Sequence, residues 1–407
     1  MKIKGFLEDI SGIKRITKAR LDAIKNAPDD PIPEDPIHAL AMEWHPGELE
    51  LQVSEIRDSG GSAKSFRLRK PDGSKLPLFL PSQYLVLTLE IDGKPISRPY
   101  SISSAPASSY RENGFVEITV KKPRNDGFFA DYLLKNVQEG DSVRALIGCG
   151  EFHYEPLRDA PHILALAGGI GITPFVSIAR AIADGTLDIS MAILYGVNAP
   201  EELVLWDELR MLEKEIPEKF HVVPVFADTL LQDRPDYPFE QGFLSAKLIQ
   251  KYLKTDESIA PDTSLFICGP QAMYRYLQQE LPKLDIPKRR IRFEVFGQVK
   301  DIGSFEGYPK DLIGETFRMT VHRGIQEDVI PARAKESIAA ALERAGIRLE
   351  TGCRSGECGF CRTKVLSGSY FVCPENDGRR AADKEFNYVH ACAAYPLSDL
   401  EIRIPIA

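Results

Sequence analysis

Three cysteines lie within nine residues in the last quarter of the chain, in the segment TGCRSGECGFCRTKVLSG. Cys353, Cys358 and Cys361 follow the spacing C-x4-C-x2-C, which is typical of the thiolate ligands of a [2Fe–2S] cluster. A fourth thiolate is available further along the chain from Cys392. Four thiolates offset the charge of two ferric ions, and the loop glycines let backbone N–H groups approach the sulfur atoms. These residues therefore predict an electron-transfer centre.

Two other interpretations of the clustered thiols are a zinc site and a redox-active dithiol. Structural zinc prefers two separated C-x2-C pairs, so the iron–sulfur cluster is favoured. The flanking segment ETFRMTVHR alternates like a strand, and KESIAAALERAGI has apolar residues at helical spacing. Together, residues 316–407 resemble the plant-type ferredoxin domain, which implies an α+β fold of the β-grasp type. Cys373 has no place in that pattern and is interpreted as a packed thiol.

A cluster of this kind moves single electrons, so the preceding residues must supply or receive them. The segment SRPYSISSAP follows an alternating apolar stretch and contains the pattern R-x-Y-S, which is similar to that of the ferredoxin–NADP reductase family. The resemblance implies that Tyr100 stacks on the flavin ring, that the Ser101 hydroxyl faces flavin N5, and that Arg98 pairs with a flavin phosphate. Pro99 lies among them and is counted with the flavin-binding residues.

The segment GFVEITVKKPRNDGFFADYLLKNVQEGDSVRALIGCGEF resembles the rest of that family's flavin barrel in order and spacing. The residues that the resemblance assigns to flavin binding are Thr119, Val120, Lys121, Gly127, Phe128, Phe129 and Ala130. A helix that opens at 127–130 is expected to direct its N-terminal N–H groups toward the flavin diphosphate. Because the family commonly has serine where this chain has Ala130, FAD is favoured and FMN stays possible.

A second domain begins near residue 157, where PHILALAGGIGITPFVSIARAI has the form of a buried strand, a glycine-rich turn and a helix. Gly168, Gly169 and Gly171 allow a pyrophosphate to approach the helix N-terminus. With Thr173 and Pro174, the stretch matches the G-G-x-G-x-T-P variant of the same family. The resemblance implies a pyridine nucleotide site.

Two further segments complete the predicted site. TSLFICGPQAMYRYL resembles the family's C-G-P-x-x-M, formed by Cys268, Gly269, Pro270 and Met273. The resemblance implies that Cys268 lies beside the nicotinamide C4, at the carboxyl edge of the sheet; the alternative is a core thiol at a strand end. Glu294 and Phe296 in RIRFEVFG match an E-x-F pattern that the family places near the flavin. Ser101, Cys268 and Glu294 are the predicted catalytic residues.

The nucleotide preference depends on the residues that follow the strand AILYG. An arginine there would favour the 2′-phosphate of NADPH, but the chain has Asn-Ala-Pro at 198–200, and Asp228 follows the next strand. Asp228 is therefore assigned to nucleotide binding, since an acidic group suits the free ribose diol of NADH. Arg234 leaves NADPH possible because its side chain could reach a phosphate.

The motifs divide the chain into five segments. These are an N-terminal helical extension (1–46), an antiparallel β-barrel for FAD (47–156), an α/β domain for NAD(P) (157–297), a linker (298–315) and the ferredoxin domain (316–407). A chain of 407 residues exceeds what one hydrophobic core usually supports. The extension has apolar residues on one helical face and then four prolines in NAPDDPIPEDP. It is interpreted as an arm packed on the reductase body, or as a docking or dimer element.

Composition argues against several other classes of protein. A formal net charge of −8 disfavours a nucleic-acid-binding surface and a polybasic membrane anchor. No run of about 18 apolar residues is present to span a bilayer, and the start of the chain lacks the apolar core of a secretory signal. Seven cysteines, an odd number, do not look like a disulfide framework. We therefore expect a cytoplasmic protein.

Together these features predict an NAD(P)H-dependent electron-transfer oxidoreductase. Electrons from NADH are expected to pass through FAD and the [2Fe–2S] cluster to a separate redox partner protein. The expected partner is an oxygenase, a hybrid-cluster protein or another reductase component. Two alternatives stay open: a self-contained reductase of a small molecule, and a redox-responsive subunit of a larger complex.

Overall fold

The computed structural model describes residues 6–27, 35–44, 46–122, 127–227, 235–253, 263–297, 299 and 301–405. The chain divides into two compact units, Met1–Trp44 and His45–Ala407. The first unit contains helices α1 (Phe6–Lys25) and α2 (Pro36–Trp44). Among the described residues of the chain, no helix combines the length and the apolar character needed to cross a membrane.

The larger unit begins with an antiparallel sheet in the order β4-β3-β6-β1-β2-β5. Its strands are β1 (Glu48–Asp58), β2 (Ala63–Arg69), β3 (Tyr84–Ile91), β4 (Lys94–Ser101), β5 (Val116–Lys121) and β6 (Ser142–Cys149). Residues of β6 alternate between buried and accessible, as expected for a strand with one face on a core. A bridge between Ile102 and Ile118 connects the residue after β4 to β5, which closes the sheet into a barrel. Helix α3 (Phe128–Asn136) packs Phe129 and Leu133 against the barrel core.

A parallel sheet follows, in the order β10-β9-β8-β7-β11-β12. Its strands are β7 (His162–Gly168), β8 (Ser190–Val197), β9 (Phe220–Phe226), β10 (Glu240–Gln241), β11 (Thr263–Cys268) and β12 (Ile291–Glu294). Its helices are α4 (Thr173–Ala183), α5 (Trp206–Glu215), α6 (Ala246–Leu253) and α7 (Gln271–Glu280). Helices α4 and α5 contribute to one apolar cluster and α6 and α7 to another. Strand β11 is buried along its whole length, which is typical of a parallel strand covered on both faces.

The last part of the chain forms a mixed sheet in the order β14-β13-β19-β15-β17, beside a β16-β18 pair. Its strands are β13 (Thr316–Arg323), β14 (Gln326–Arg333), β15 (Arg362–Ser367), β16 (Tyr370–Val372), β17 (Tyr388–His390), β18 (Ala394–Pro396) and β19 (Leu400–Arg403). Helix α8 (Ile338–Arg344) packs into its core, and α9 (Ala381–Glu385) precedes β17. A barrel, a parallel α/β sheet and an α+β unit therefore follow one another, which confirms the predicted fold class.

The segment predicted to be a linker packs, in part, against this last sheet. Ile302 and Tyr308 form a buried cluster with Cys373 and Tyr395. The Tyr308 hydroxyl donates a hydrogen bond to the carbonyl of Ala334 at 2.9 Å. Cys373 is thus a packed thiol, as predicted, and part of the linker is fixed to the ferredoxin region.

Candidate active site

The R-x-Y-S residues lie on β4, beside the start of α3. The rings of Tyr100 and Phe129 have centroids 6.1 Å apart and an interplanar angle of 31°. The Arg98 guanidinium lies 5.5 Å from the centre of the Phe129 ring. Burial raises the pKa of the Tyr100 phenol above its usual value, so this group stays neutral. The structure thus brings Arg98, Tyr100 and Phe129 together as an aromatic surface with a cation beside it.

The neighbouring predicted residues frame this surface. Ser101 is buried at the end of β4, directly across from Tyr84 of β3, and Pro99 pairs with Val86 of the same strand. At the start of α3, Gly127 is the N-cap residue. Phe128 is 51% exposed. Ala130 packs against the barrel core.

Three further residues that were predicted to bind the flavin lie on β5. The Thr119 hydroxyl lies 2.8 Å from the Ser65 hydroxyl, in a buried pair of polar groups. Val120 belongs to the barrel core. The Lys121 ammonium donates a hydrogen bond to the Glu202 carbonyl at 3.1 Å. Their assignment to flavin binding stays a prediction.

The glycine-rich segments 168–174 and 268–273, here called the nucleotide turns, pack against each other at the carboxyl ends of β7 and β11. A methyl group added at Gly171 would lie 2.3 Å from the Cys268 carbonyl oxygen. One added at Gly168 would lie 2.7 Å from Met273 Sδ and 2.8 Å from Pro270 Cδ. Glycine is therefore required sterically at both positions, and the structure brings the two motifs into one site.

The remaining residues of the nucleotide turns are placed around this contact. Gly169 has a positive φ of 54°, which favours glycine. The Thr173 hydroxyl donates a hydrogen bond to the Ile170 carbonyl at 3.1 Å, and Pro174 lies in the first turn of α4, where a missing N–H is tolerated. A methyl group at Gly269 would lie 2.8 Å from Met273 Cε.

Cys268 and Glu294 are neighbours, because the last residues of β11 and β12 pair in parallel register. Glu294 is 6% exposed and Cys268 is 4% exposed. Burial raises the pKa of the Glu294 carboxyl and of the Cys268 thiol well above their usual values. Burial therefore disfavours the ionised form of both groups.

Tyr84 is a residue of this site that sequence reasoning missed. Its ring packs edge-to-face on Phe296 at a centroid distance of 5.2 Å, and it clusters with Val86 and Cys353. Within the described residues, the Tyr84 hydroxyl and Glu294 Oε2 are buried without a hydrogen-bond partner. Tyr84, Glu294 and Cys353 are here called the flavin–cluster junction.

The four predicted cluster ligands meet as two pairs. The thiols of Cys353 and Cys358 form one hydrogen-bonded pair, and those of Cys361 and Cys392 form the other. The backbone N–H groups of Ser355 and Cys358 each donate to Cys353 Sγ at 3.4 Å. The Cys358 thiol and these amides lower the pKa of Cys353 to about 5. The loop is therefore suited to thiolate sulfur.

This pairing distinguishes between the metal sites that the sequence left open. A [2Fe–2S] cluster requires two thiolates for each iron, which matches two pairs of cysteines. Structural zinc requires four ligands around one point. In the described part of the chain, no three His, Cys, Asp or Glu side chains are placed to hold a single metal ion. The donor set thus fits the two-iron cluster.

The junction also fits a bound flavin. Buried polar atoms without partners are rare in proteins, and here two of them, on Tyr84 and Glu294, lie beside the strand that ends in Ser101. A polar ring system next to Ser101 would supply the missing partners. The aromatic surface of Tyr100 lies on the same strand and suits a planar cofactor.

Arg98 has a partner that the sequence did not predict. Its guanidinium forms an ion pair with Glu343 of α8, at 2.8 Å from Nη1 to Oε1. Glu343 lies in an ordinary amphipathic helical pattern, so no local signal marks it. The predicted contact of Arg98 with a flavin phosphate stays a prediction.

The residues proposed to select the nucleotide lie partly outside the described ranges. Asp228 and Arg234 are both outside them. At the end of β8, the Asn198 side-chain amide donates to Glu202 Oε2 at 3.0 Å. A carboxylate therefore lies at this strand end.

Comparison with known proteins identifies three domains in this chain. Residues 50–154 match the oxidoreductase FAD-binding domain, 165–279 the oxidoreductase NAD-binding domain, and 323–397 the 2Fe-2S iron-sulfur cluster binding domain. These matches confirm the predicted flavin, pyridine nucleotide and cluster. They also confirm the resemblance to flavoprotein reductases that carry a C-terminal ferredoxin domain.

Similar full-length proteins carry the same arrangement. The glycine betaine monooxygenase reductase subunit of Chromohalobacter salexigens is 25% identical over 371 residues, which cover 88% of this chain and 96% of that protein. The ferredoxin reductase component of the 3-ketosteroid-9-alpha-monooxygenase of Mycobacterium tuberculosis is 28% identical over 365 residues, covering 86% and 94%. The solved structure of phthalate dioxygenase reductase superposes with a TM-score of 0.62 at 24% identity, covering 89% of this chain and 98% of that one.

Proposed function

We propose that this chain, an NAD(P)H-dependent iron–sulfur flavoprotein oxidoreductase, is the reductase component of an oxygenase system. Two relatives matched over nearly their whole length are named as reductase components of monooxygenases. The observation that carries the proposal is the position of the cluster loop. Cys353 is buried at the junction beside the flavin strand, whereas Cys358 is exposed. The cluster loop therefore lies against the flavin strand at Cys353 and reaches the protein surface at Cys358, where an external partner can approach.

The cofactors and the chain divide the chemistry between them. When bound, the flavin supplies the conversion between two-electron and one-electron transfer, and the cluster supplies one-electron transfer. The chain binds, orients and shields these groups. The edge-to-face contact between Tyr84 and Phe296 fills the space between the strand ends and Cys353 with apolar surface, which keeps water away from the junction.

We assign three residues to the reacting centre. Cys268 presents an uncharged thiol at the nucleotide turns, because burial keeps it protonated. Burial raises the pKa of the Glu294 carboxyl well above its usual value, which would reduce its charge repulsion toward a bound flavin. Ser101 ends β4 opposite Tyr84 and supplies a neutral hydroxyl at the flavin edge. None of these groups requires a charge in the buried site, which is favourable at low dielectric.

NADH is the expected nucleotide. Glu202 accepts hydrogen bonds from Asn198 at the end of β8, and a carboxylate there would repel a 2′-phosphate. A repulsion of one to two kcal/mol corresponds to about five- to thirtyfold in specificity. Comparison of kcat/KM for NADH and NADPH, with ferricyanide as acceptor, tests this. A higher value for NADPH would show that a basic residue, for example Arg234, reaches the phosphate.

The oxygenase assignment is tested by reconstitution. The purified protein should reduce cytochrome c with NADH, and it should reduce the metal centre of an oxygenase component purified from the same organism. Substrate-dependent oxygen consumption should then require both proteins and NADH. Rapid reduction of cytochrome c without any reduction of that oxygenase would refute the proposed partner.

We also place the protein in the cytoplasm. None of the seven cysteines, all of which the structure describes, forms a disulfide, as expected in a reducing compartment. Pyridine nucleotides are supplied in the same compartment. Cell fractionation with an antibody against the chain tests this proposal, and recovery with the periplasmic fraction would contradict it.

A further inference from the structure

We propose that Glu343 is a positioning residue that fixes the cluster loop to the flavin-binding strand. It does so by joining Arg98 of β4 and Arg354 of the loop in one ionic group, here called the Glu343 bridge (Arg98, Glu343, Arg354). The inference rests on the proposed function, since it concerns the same flavin and cluster sites. Glu343 acts through its two partners rather than by touching the reacting atoms.

The two arginines bind Glu343 in the same way. Arg98 donates from Nη1 to Oε1 at 2.8 Å and from Nη2 to Oε2 at 3.2 Å. Arg354 donates from Nη1 to Oε1 at 2.9 Å and from Nη2 to Oε2 at 3.1 Å. Both also donate from Nη1 to the Ser97 carbonyl, at 2.7 Å and 3.1 Å. Paired, charge-assisted contacts of this kind fix geometry as well as adding energy.

The bridge spans the two parts of the site. Arg98 belongs to the R-x-Y-S motif, and Arg354 directly follows the cluster ligand Cys353. The Arg354 side chain is 3% exposed and that of Glu343 is 18% exposed. A buried guanidinium needs a paired carboxylate. Glu343 therefore offsets the burial of Arg354 and determines where the backbone beside Cys353 lies relative to β4.

The bridge is compatible with the predicted role of Arg98. A guanidinium has five N–H donors. The two contacts to Glu343 and the contact to Ser97 use three of them. The Nε–H and the second Nη2–H remain, and they share one edge of the group. That edge has the two parallel donors that a phosphate accepts, so Arg98 serves the bridge and a flavin phosphate together.

Removal of the carboxylate alone should separate the two cations. In Glu343→Gln the guanidinium groups of Arg98 and Arg354 lose the charge between them and repel each other. Other contacts still hold the segments near each other: the Lys94 ammonium donates to the Arg344 carbonyl at 2.7 Å, and the Ser97 and Thr351 hydroxyls are 2.9 Å apart. The variant should therefore fold with a displaced cluster loop.

A matched control lies seven residues earlier in the chain, just before α8. Glu336 pairs with Arg344 and accepts a hydrogen bond from the backbone N–H of Arg333. These partners belong to the ferredoxin part of the chain. Glu336→Gln thus removes an equivalent carboxylate without touching the bridge.

The first measurement does not depend on activity. Amide hydrogen exchange is followed in the full-length protein over segments 94–101 and 343–354. Glu343→Gln should accelerate exchange in both segments at least about tenfold, which corresponds to roughly 1.4 kcal/mol of local stability. Glu336→Gln should leave segment 94–101 unchanged.

The second measurement separates positioning from general damage. After rapid mixing with NADH, bleaching of the flavin and reduction of the cluster are recorded separately. Glu343→Gln should slow cluster reduction at least about fivefold and leave the NADH-dependent flavin step unchanged, because positional shifts of about 1 Å are costly. Equal rates in wild type and variant, or equal slowing of both steps, would overturn the inference.

A second variant covers the case in which Glu343→Gln does not fold. Glu343→Asp keeps the charge but is too short to reach both guanidinium groups, so it should change both readouts in the same direction. Wild-type behaviour in this variant would overturn the inference as well. If the wild-type protein itself shows no flavin or cluster signal, the proposed function fails instead, so the two failures are distinguishable.

Discussion

In the nucleotide turns, glycines let two strand ends pack directly against each other, whereas at the flavin–cluster junction buried polar side chains are left without partners. Gly171 faces the Cys268 carbonyl with no space for a methyl group. At the junction, Tyr84 and Glu294 each have a buried oxygen that makes no hydrogen bond within the described residues. The nucleotide turns therefore make their packing contacts within the protein, whereas the polar groups of the junction require the cofactors as partners.

The difference follows from where each region's residues lie in the sequence. Each nucleotide turn is a strand end followed by a helix, so local spacing determines it. The junction combines Tyr84, Glu294 and Cys353 from three separate parts of the chain. Changes in the two regions should therefore affect separate activities.

The largest effect is expected from the loss of a cluster ligand. Cys358→Ser should remove the cluster and lower NADH-dependent cytochrome c reduction by at least about a hundredfold, more than the loss of a group that only supports a ligand. Reduction of ferricyanide by NADH should persist, since the nucleotide turns and the flavin surface are untouched. Iron analysis and the two assays check this.

Cys373→Ala is the control for this experiment. Cys373 is buried in the same part of the chain but lies outside the two thiol pairs. The Cys373→Ala variant should keep its iron and both activities. Loss of both activities in Cys358→Ser, with FAD still bound, would show that the two regions do not work separately.

A change in the nucleotide turns should do the opposite: it should impair the reaction with NADH and leave the cluster in place. In Gly171→Ala, the added methyl group would lie 2.3 Å from the Cys268 carbonyl oxygen, so the turns must separate. An overpacking cost of about 1–3 kcal/mol corresponds to a loss of about 5- to 150-fold in kcat/KM for NADH. FAD and iron contents should stay unchanged.

Gly314→Ala is the matched control, because a methyl group there meets no atom within 4 Å. Its steady-state kinetics should equal those of the wild type. An unchanged KM and kcat for NADH in Gly171→Ala would refute the close packing of the two turns.

The smallest effect is expected for Glu294→Gln, on the thermal stability of the protein. Burial raises the pKa of this carboxyl well above its usual value of 4.5. Between pH 4.5 and the raised pKa the unfolded chain ionises while the folded chain does not, so the stability from the protonated group is lost as pH rises. Glu294→Gln mimics the protonated form and removes this dependence.

The flavin-free variant should therefore melt at a higher temperature than the flavin-free wild type. The gain in Tm should be larger at about pH 8 than at about pH 5, by a few degrees. Glu50→Gln, at an exposed position of β1, is the control and should show no such trend. A gain that shrinks as pH rises would contradict a protonated Glu294.

The sequence was sufficient for the parts of the molecule that depend on local spacing. Three local motifs were enough to place their own segments in the fold: the cysteine spacing, the glycine-rich turn and the Cys-Gly-Pro segment. Each of these motifs is contiguous or is followed by a marked strand. Tyr84 lies in an ordinary alternating strand, and its partners are distant in sequence. Glu343 and Arg354 likewise meet Arg98 only through the docking of two domains. Such contacts leave no periodic signal.

The predicted flavin-binding residues on β5 show a second limit of reading a motif from the sequence. Thr119 and Val120 follow the family pattern in order, but they are neighbours on a strand, so Val120 turns into the barrel core and Thr119 turns to the other face, toward Ser65. A motif specifies the backbone position, whereas the direction of a side chain depends on the register of the sheet. The nucleotide preference stays open for a different reason, since Asp228 and Arg234 lie outside the described residues.

We expect the flavin and cluster sites of one chain to form a single electron path across the junction. The most direct test is rapid mixing of the protein with NADH at several protein concentrations, with the flavin and the cluster followed by their separate spectra. We expect cluster reduction to follow flavin reduction at a rate that does not change with protein concentration. A rate proportional to protein concentration would show transfer between molecules, and would contradict the path through the junction.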